Sequence, residues 1–183
     1  KYNFEFNKQN VKFDLNLDIT ETPFKIDLIN FMKEENEVIN FRIIGEKKDE
    51  KISLREINIK KNNDIISLNE INFSNNFQVT NFKKINLKFF DTNKNKNDIS
   101  IVQNTKNNFL IEGKSFNLNK IIDQILFKSD DEAKIFDDKE RIFKINFKKN
   151  YLDSDHHILN LQGIIKIKGN KVYDMSLKSS FPN

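Results

Sequence analysis

The sequence lacks several residue types on which whole classes of protein depend. It has no cysteine, no tryptophan, two prolines and four glycines among its 183 residues. The absence of cysteine excludes disulfide scaffolds, thiolate metal sites and cysteine nucleophiles, although it does not decide the cellular compartment. The four glycines are too scattered to form a phosphate-binding loop. No apolar run approaches the length of about 18 residues that a transmembrane helix needs.

Three residue types dominate what is present. The 29 Asn, 28 Lys and 26 Ile make up 83 positions, and 31 basic residues nearly balance 27 acidic ones, for a net charge of +4. The 18 Phe and the many Ile are enough to build a core, which argues against disorder. Because an A/T-biased genome also produces much Asn and Lys, only the arrangement of these residues is informative.

Apolar and polar residues alternate along much of the chain. Tyr2, Phe4 and Phe6 share one phase, and similar runs follow over 11–19 and 39–43. Alternation with period two is typical of strands that have one apolar and one polar face. We therefore predict a mainly β fold: a long, antiparallel, curved and groove-like sheet meander with one or two short amphipathic helices. Residues 1–183 form a single β-rich segment, with further strands over 141–180.

A 14-residue repeat occupies 51–112. The stretch 52–59 aligns with 66–73, and looser copies follow to Ile101. Each copy predicts one strand of about ten residues, with Asn-rich turns between copies. The three-residue step from Leu54 to Ile57 breaks the alternation, and a β-bulge there would restore a single apolar face.

Two segments have helical signals. Over 117–127, apolar residues fall at i, i+3, i+4, i+7 and i+8 behind Asn117, a good N-cap. Over 22–34, Thr22 and Pro23 resemble a cap and a first helical residue, although Phe24, Ile26 and Leu28 also fit a strand within 1–50. Residues 129–140 are acidic and poor in apolar residues, which indicates an exposed loop.

No residues predict catalysis or metal binding. His156 and His157 are adjacent, so in a strand they point to opposite faces, and 154–156 do not have the arrangement of a catalytic triad. The acidic residues over 130–138 lack calcium-loop spacing. We expect no enzyme activity, no cofactor and no metal.

Lys and Phe interleave over 82–84, 143–144 and 147–149, as in surfaces that stack bases and bind phosphates. The Phe residues occupy the apolar phase, so we expect them to be buried and the Lys residues to be solvated. No nucleic-acid partner is predicted, whereas electrostatic attraction to anionic lipid head groups remains open.

One region resembles a known family. The segment 109–122 (FLIEGKSFNLNKII), followed by 158–165 (ILNLQGII) and 171–177 (KVYDMSL), is similar to a degenerate signature of the AsmA-like proteins, the group that includes YhdP and TamB. In that signature a strand ends at Gly, a Ser-Phe/Leu-Asp/Asn-Leu step follows, and a short helix begins. The resemblance covers about 50–180, and the residues that carry it are Gly113, Ser115, Phe116, Leu118 and Gly163.

The resemblance implies a periplasmic protein of Gram-negative bacteria that carries phospholipid toward the outer membrane along an apolar β-sheet groove. An inner-membrane anchor would belong to a segment outside this chain. Lys1 leads directly into alternating residues without a signal peptide, so we expect the chain to be cut from a longer one. The implied partners are phospholipid acyl chains, the membrane and other segments of the same protein.

A curved sheet could turn its apolar face toward acyl chains, each buried methylene contributing about 0.8 kcal/mol. The same side chains could instead meet a second layer and form a closed core, as in a structural or protein-binding module. A sheet edge could also bind a protein partner. The predicted lining residues are Phe4, Phe13, Leu15, Ile52, Leu54, Ile57, Ile59, Leu68, Phe73 and Phe89.

Overall fold

The described residues are mainly β-strand. A computed structural model describes residues 1–7, 9–49, 51–122, 136–153, 155–169 and 171–182. The strands are β1 Tyr2–Asn7, β2 Asn10–Asp18, β3 Phe24–Ile26, β4 Phe31–Lys33, β5 Asn40–Lys48, β6 Lys51–Lys61, β7 Asp64–Phe73, β8 Val79–Asn81, β9 Lys84–Phe90, β10 Lys96–Thr105, β11 Asn108–Asn117, β12 Glu140–Tyr151, β13 His157–Lys168 and β14 Lys171–Ser180.

One long open sheet contains twelve of these strands. Its order is β1-β2-β5-β6-β7-β9-β10-β11-β12-β13-β14, with β8 beside β7, while β3 and β4 form a separate two-stranded sheet. The prediction of a mainly β, curved sheet meander is confirmed. One step departs from the antiparallel rule, because β11 and β12 are parallel. A parallel pair needs a crossover of a dozen or more residues, and the connection over 118–139 is long enough.

The repeat forms neighbouring strands, as predicted. β6 and β7 pair antiparallel, with Ile59 opposite Ile66 and Leu54 opposite Ile71. The register between β5 and β6 shifts opposite Arg55, so Leu54 and Ile57 lie on the same face. The second copy makes the equivalent adjustment at Glu70, whose φ is 51°. The predicted bulge is therefore confirmed, and the repeat has one continuous apolar face.

The helix predicted over 22–34 is wrong. The structure has β3, a single 3₁₀ turn over Asp27–Ile29 and β4, and the two short strands pair with Phe24 opposite Lys33. The signal of Thr22 and Pro23 is local, whereas extended strands let Phe24, Ile26 and Phe31 pack on the large sheet. Tertiary packing therefore overrides the capping signal. We call residues 19–39 the cover segment.

The cover segment lies against one end of the apolar face. Phe31 is 1% exposed, and its ring centroid lies 5.4 Å from that of Phe89 and 5.8 Å from that of Phe24. Such aromatic pairs contribute beyond the area that they bury. This part of the sheet is therefore a closed two-layer core.

A buried lysine holds the cover segment together. Lys33 is fully buried, and its Nζ donates to the carbonyl oxygens of Thr20 at 2.6 Å and Glu34 at 2.8 Å. Lys61 on β6 donates to the carbonyl oxygen of Met32 and to the carboxylate of Glu37. Both ammonium groups have oxygen partners, as buried cations require.

The helix predicted over 117–127 is described only at its start. The Oδ1 of Asn117 accepts a hydrogen bond from the N–H of Asn119, as an N-cap does. A helical turn over 119–122 follows, in which the N–H of Ile122 donates to the carbonyl oxygen of Leu118 at 2.8 Å. Residues 123–127 lie outside the described part of the chain.

A buried arginine closes the opposite end of the sheet. Arg141 is 2% exposed, and its guanidinium donates to the carbonyl oxygens of Val79 and Thr80 and to the carboxylate of Asp137. Its Cζ lies 4.8 Å from the ring centroid of Phe136. Phe136 and Asp137 are half-buried, so the exposed loop predicted over 129–140 is wrong for these two residues. The rest of that loop before Phe136 lies outside the described residues.

Candidate functional site: the apolar face of the sheet

A row of aliphatic side chains crosses seven adjacent strands of the apolar face. Each member is paired with the next across a strand boundary, and all of them are half-buried. The six inter-strand spacings give the row a length of about 29 Å. We call these residues the central row: Leu15, Ile43, Ile57, Leu68, Ile85, Ile101 and Ile111.

The central row runs between two hydrophobic clusters. One cluster, around Phe31 and Phe89, lies under the cover segment, and the other surrounds Phe82 and Phe109 near Arg141. Four members of the row, from Leu68 to Ile111, pack against both clusters. The face is therefore closed at both ends of the central strands and partly exposed between them.

The ten predicted lining residues all lie on the apolar face. Leu15, Ile57 and Leu68 belong to the central row. Phe4, at 45% exposure, lies on the outer strand β1, whereas Phe13, Ile52, Leu54 and Phe73 are half-buried beside the row. Ile59 and Phe89 differ from the rest because they are buried in the cluster under the cover segment.

Sequence reasoning missed four members of the central row: Ile43, Ile85, Ile101 and Ile111. The 14-residue spacing was the available signal, because Ile85 and Ile101 fall in its later copies. Spacing alone does not show which apolar residues a second layer covers. Ile99, two residues before Ile101 and also on the apolar face, is buried.

The residues that resemble the AsmA-like signature lie at a crowded part of the sheet. A side chain at Gly113 would place its Cβ 2.8 Å from Phe147, whose ring lies parallel to Phe116 at 6.1 Å. The hydroxyl of Ser115 donates to the carbonyl oxygen of Lys96. The signature predicts that a strand ends at Gly113, but β11 continues to Asn117, because a register shift beside Gly113 lets pairing resume.

The remaining signature residues lie on either side of this region. Leu118 packs against the cluster under the cover segment. Gly163 lies opposite Ile145 on β12 and Leu177 on β14. A Cβ at Gly163 would lie 2.0 Å from the carbonyl oxygen of Ser176, so only glycine fits there.

A buried polar cluster next to the signature was not predicted. The N–H of Asn117 donates to Oδ1 of Asn97 at 2.8 Å, and its side-chain amide donates to Oδ2 of Asp91 at 2.6 Å. These bonds connect β11 with Asn97 at the start of β10 and with Asp91 in the turn before it. In a chain with 29 Asn, nothing in the sequence distinguishes these buried amides from solvated ones.

The opposite face has shallow polar concavities. One, of about 490 Å³, is lined by residues that include Asp14, Arg42, Glu56 and Asn58. Arg42 binds the carboxylate of Asp14 through Nε at 3.0 Å and Nη2 at 2.7 Å, and this hydrogen bonding lowers the pKa of Asp14 from its ordinary value. A second concavity, of about 710 Å³, lies beside it. Their charged and amide groups suit water and ions better than acyl chains.

The histidines lie away from the central row. The Nδ1 of His156 lies 2.8 Å from Oδ2 of Asp153, and the N–H groups of Asp155 and His156 lower the pKa of this carboxyl. His157 begins β13 and is half-buried. Within the described ranges, no three His, Asp or Glu side chains are placed to share a metal ion.

The Phe residues considered for base stacking are buried. Phe82, Phe143 and Phe147 belong to the two hydrophobic clusters, so they present no face to a base. In the part of the chain that the structure describes, no helix has the length and hydrophobicity to cross a bilayer.

Comparisons of the chain with family models, with curated proteins and with solved structures found no match. The resemblance to the AsmA-like family therefore stays a prediction.

Proposed function

We propose that the apolar face binds phospholipid acyl chains along the central row, as a non-enzymatic segment of an AsmA-like protein that supports phospholipid transport between the inner and outer membranes. The observation that carries the proposal is the row itself: seven paired aliphatic side chains, all half-buried, between two closed ends. The periplasmic location, and an anchor in a segment outside this chain, follow from the same resemblance.

The chemistry of the row suits an acyl chain. Aliphatic side chains bind methylenes without specific polar contacts, and each methylene removed from water contributes about 0.8 kcal/mol. Binding would therefore tolerate different lipids and allow a chain to slide. Lys84 and Lys88 lie on the polar phase of β9, so they face away from the row residue Ile85, and anionic head groups that they attract would lie on the other face of the sheet.

A fluorescent lipid tests the proposal directly. Phosphatidylcholine with an environment-sensitive fluorophore on one acyl chain is titrated into the protein, and emission is expected to rise as the fluorophore leaves water. Leu68→Gln places an amide in the central row and is expected to weaken binding about tenfold. Ile65→Gln is the matched control, because Ile65 is on the same strand but on the polar face, and it is expected to bind like the unaltered protein.

A second function is favoured by the cover segment. Phe31 and Phe89 show that part of the apolar face is already a closed core, which is the pattern of a structural or protein-binding β-module. Two negative results together would favour this second function. The folded protein would leave the emission of the lipid probe unchanged, and native mass spectrometry would find no phospholipid that co-purifies with it. Urea unfolding measures the stability of each variant, so that a loss of binding can be distinguished from a loss of the folded state.

A further inference from the structure

The two outer strands of the sheet expose apolar side chains on the same face. On β1, Tyr2 and Phe6 are 76% and 77% exposed, and on β14, Met175 is 53% exposed and Leu177 is also exposed. The register places Phe6 in the phase of the apolar face through Val11, and Leu177 in that phase through Gly163. Exposed, long apolar edges of this kind are templates for pairing with another strand.

The direction of the two edge strands fits pairing between copies. Ten strand-to-strand steps lead from β1 to β14, and among them the step from β11 to β12 is parallel. The other nine reverse the direction, so β14 runs opposite to β1. When one copy is placed beside the next with the apolar faces on the same side, β14 of the first copy meets β1 of the second in antiparallel orientation, which is the more stable pairing.

The outward groups of β1 are known from its inner pairing. The backbone N–H of Asn16 donates to the carbonyl oxygen of Lys1 at 2.8 Å, and the N-terminal amino group of Lys1 donates to the carbonyl oxygen of Asn16. Because bonding alternates along an antiparallel strand, the N–H and C=O groups of Tyr2, Phe4 and Phe6 point away from β2. No strand of the described ranges lies beyond β1.

One register of β1 against β14 places apolar side chains together on the apolar face and opposite charges together on the polar face. If Phe6 lies opposite Leu177, then Tyr2 lies opposite Phe181 and Glu5 lies opposite Lys178. The apolar side chains meet on the apolar face, and the acidic Glu5 meets the basic Lys178 on the polar face, where Lys12 and Gln162 are their inner neighbours. Opposite charges directly across strands stabilise a pair, and like charges destabilise it.

We propose that copies of this chain associate head to tail, with β14 of one copy paired to β1 of the next in this register. The contact is heterologous, since it joins two different edges, so it extends into linear assemblies rather than closing as a symmetric dimer. The inference concerns the edges of the 183-residue chain and does not rest on lipid binding; where that chain continues in a longer protein, strands of the flanking segments compete for the same two edges.

Sedimentation velocity over a range of protein concentrations tests the assembly through its charges. The 183-residue chain is expected to show dimers and larger species as concentration rises. Glu5→Lys and Lys178→Glu each place like charges across the junction and are expected to weaken association about fivefold. A chain with both changes restores opposite charges and is expected to regain association. Association that the double change does not restore would overturn the proposed register.

A proline in β1 distinguishes backbone strand pairing between copies from contact between apolar side chains alone. Phe4→Pro removes an outward N–H while leaving the bonds between β1 and β2 in place, and proline is tolerated at such edge positions. Phe4→Thr, the matched control, also removes the ring but keeps the N–H. Loss of assembly is expected to be greater with proline, and equal losses would show that no strand pairing is involved.

Disulfide cross-linking tests the register, because the chain has no native cysteine that could form a competing disulfide. A mixture of the Glu5→Cys and Lys178→Cys variants is expected to form disulfide-linked dimers on mild oxidation. Glu5→Cys mixed with Leu177→Cys is expected to cross-link poorly, because the two side chains point to opposite faces. A chain that stays monomeric at every concentration, or equal cross-linking in both mixtures, would overturn the proposal.

Discussion

Phe89 and Phe6 lie in two regions of the same apolar face that differ in burial. Both are phenylalanines in the apolar phase of a strand, yet Phe89 is 1% exposed and Phe6 is 77% exposed. Phe31 of the cover segment packs on Phe89, whereas no described residue plays that part for β1. The phase of a strand therefore decides which face a side chain joins, and a separate segment decides whether that face is sealed.

The largest expected effect separates the sealed region from the open one. Phe31→Ala removes the ring between Phe24 and Phe89 and is expected to lower the free energy of unfolding by about 4 kcal/mol. Phe6→Ala, at the open edge, is expected to change it by less than about 0.5 kcal/mol. Urea unfolding measures both, at a concentration where the protein is monomeric. Similar losses in the two variants would mean that the two regions are equally packed.

A second substitution tests whether exposure alone predicts tolerance. Gly163 lies near the open edge, but its φ of 153° favours glycine, and a Cβ would lie 2.0 Å from a backbone oxygen. Gly163→Ala is expected to lower the free energy of unfolding by about 3 kcal/mol. The neighbouring Ile164→Ala, an exposed position on the polar face, is expected to lower it by less than about 1 kcal/mol. If Gly163→Ala and Ile164→Ala lower the free energy of unfolding by the same amount, the backbone of β14 does not approach Gly163 as closely as described.

A third prediction uses pH at the sealed end near Arg141. Burial raises the pKa of Asp137, but hydrogen bonds from Lys139 and Arg141 outweigh it, and the pKa falls below its ordinary value. The carboxylate therefore stabilises the folded state above the pKa of the unfolded chain, and this stability is lost as the pH falls below about 4. Asp137→Asn is expected to lower the free energy of unfolding by about 2 kcal/mol at pH 7.

Unfolding curves at several pH values measure this loss. The gap between the protein and Asp137→Asn is expected to shrink toward zero as the pH falls through the folded-state pKa. Asp49→Asn, in an exposed turn, is the control and should leave the unfolding midpoint at pH 7 nearly unchanged. A gap that stays constant in acid would contradict a role for the charge of Asp137.

The smallest expected effect concerns two buried amides. Asn97 and Asn150 are both fully buried, but Oδ1 of Asn97 accepts a hydrogen bond from Asn117, whereas neither amide atom of Asn150 has a partner within the described ranges. Asn150→Leu is therefore expected to raise the free energy of unfolding by about 1 kcal/mol, and Asn97→Leu to lower it by a similar amount. Thermal unfolding compares them, and destabilisation by both changes would show that Asn150 also has a partner.

The sequence predicts those parts of the fold that depend on neighbouring residues. The strand phases, the bulge at Arg55 and the cap at Asn117 follow from local alternation and turn chemistry.

The rest depends on residues far apart in the chain. The cover segment was misjudged because packing on Phe89 outweighs the signal of Thr22 and Pro23. The parallel step depends on the path of a long connection, which has no local code. Two partners of Arg141, the carbonyl oxygens of Val79 and Thr80, come from β8, about 60 residues earlier, so no spacing rule finds them.

For the candidate site, the sequence identifies the correct face but not its open part. All ten predicted lining residues share the apolar face, yet Ile59 and Phe89 are covered and Ile57 and Leu68 are not. Alternation is the same for both groups, since each residue simply follows the strand phase. The difference arises only when the cover segment folds over the sheet.

The 14-residue repeat has a consequence for how such a sheet changes in length. One repeat adds one strand and reverses the direction in which the chain leaves the sheet, as β6 and β7 show. Two repeats, a hairpin of about 28 residues, restore that direction and widen the sheet by about 10 Å. Gene duplications or deletions of one hairpin would therefore preserve both edges, whereas loss of a single strand would leave the following strands running in the wrong direction.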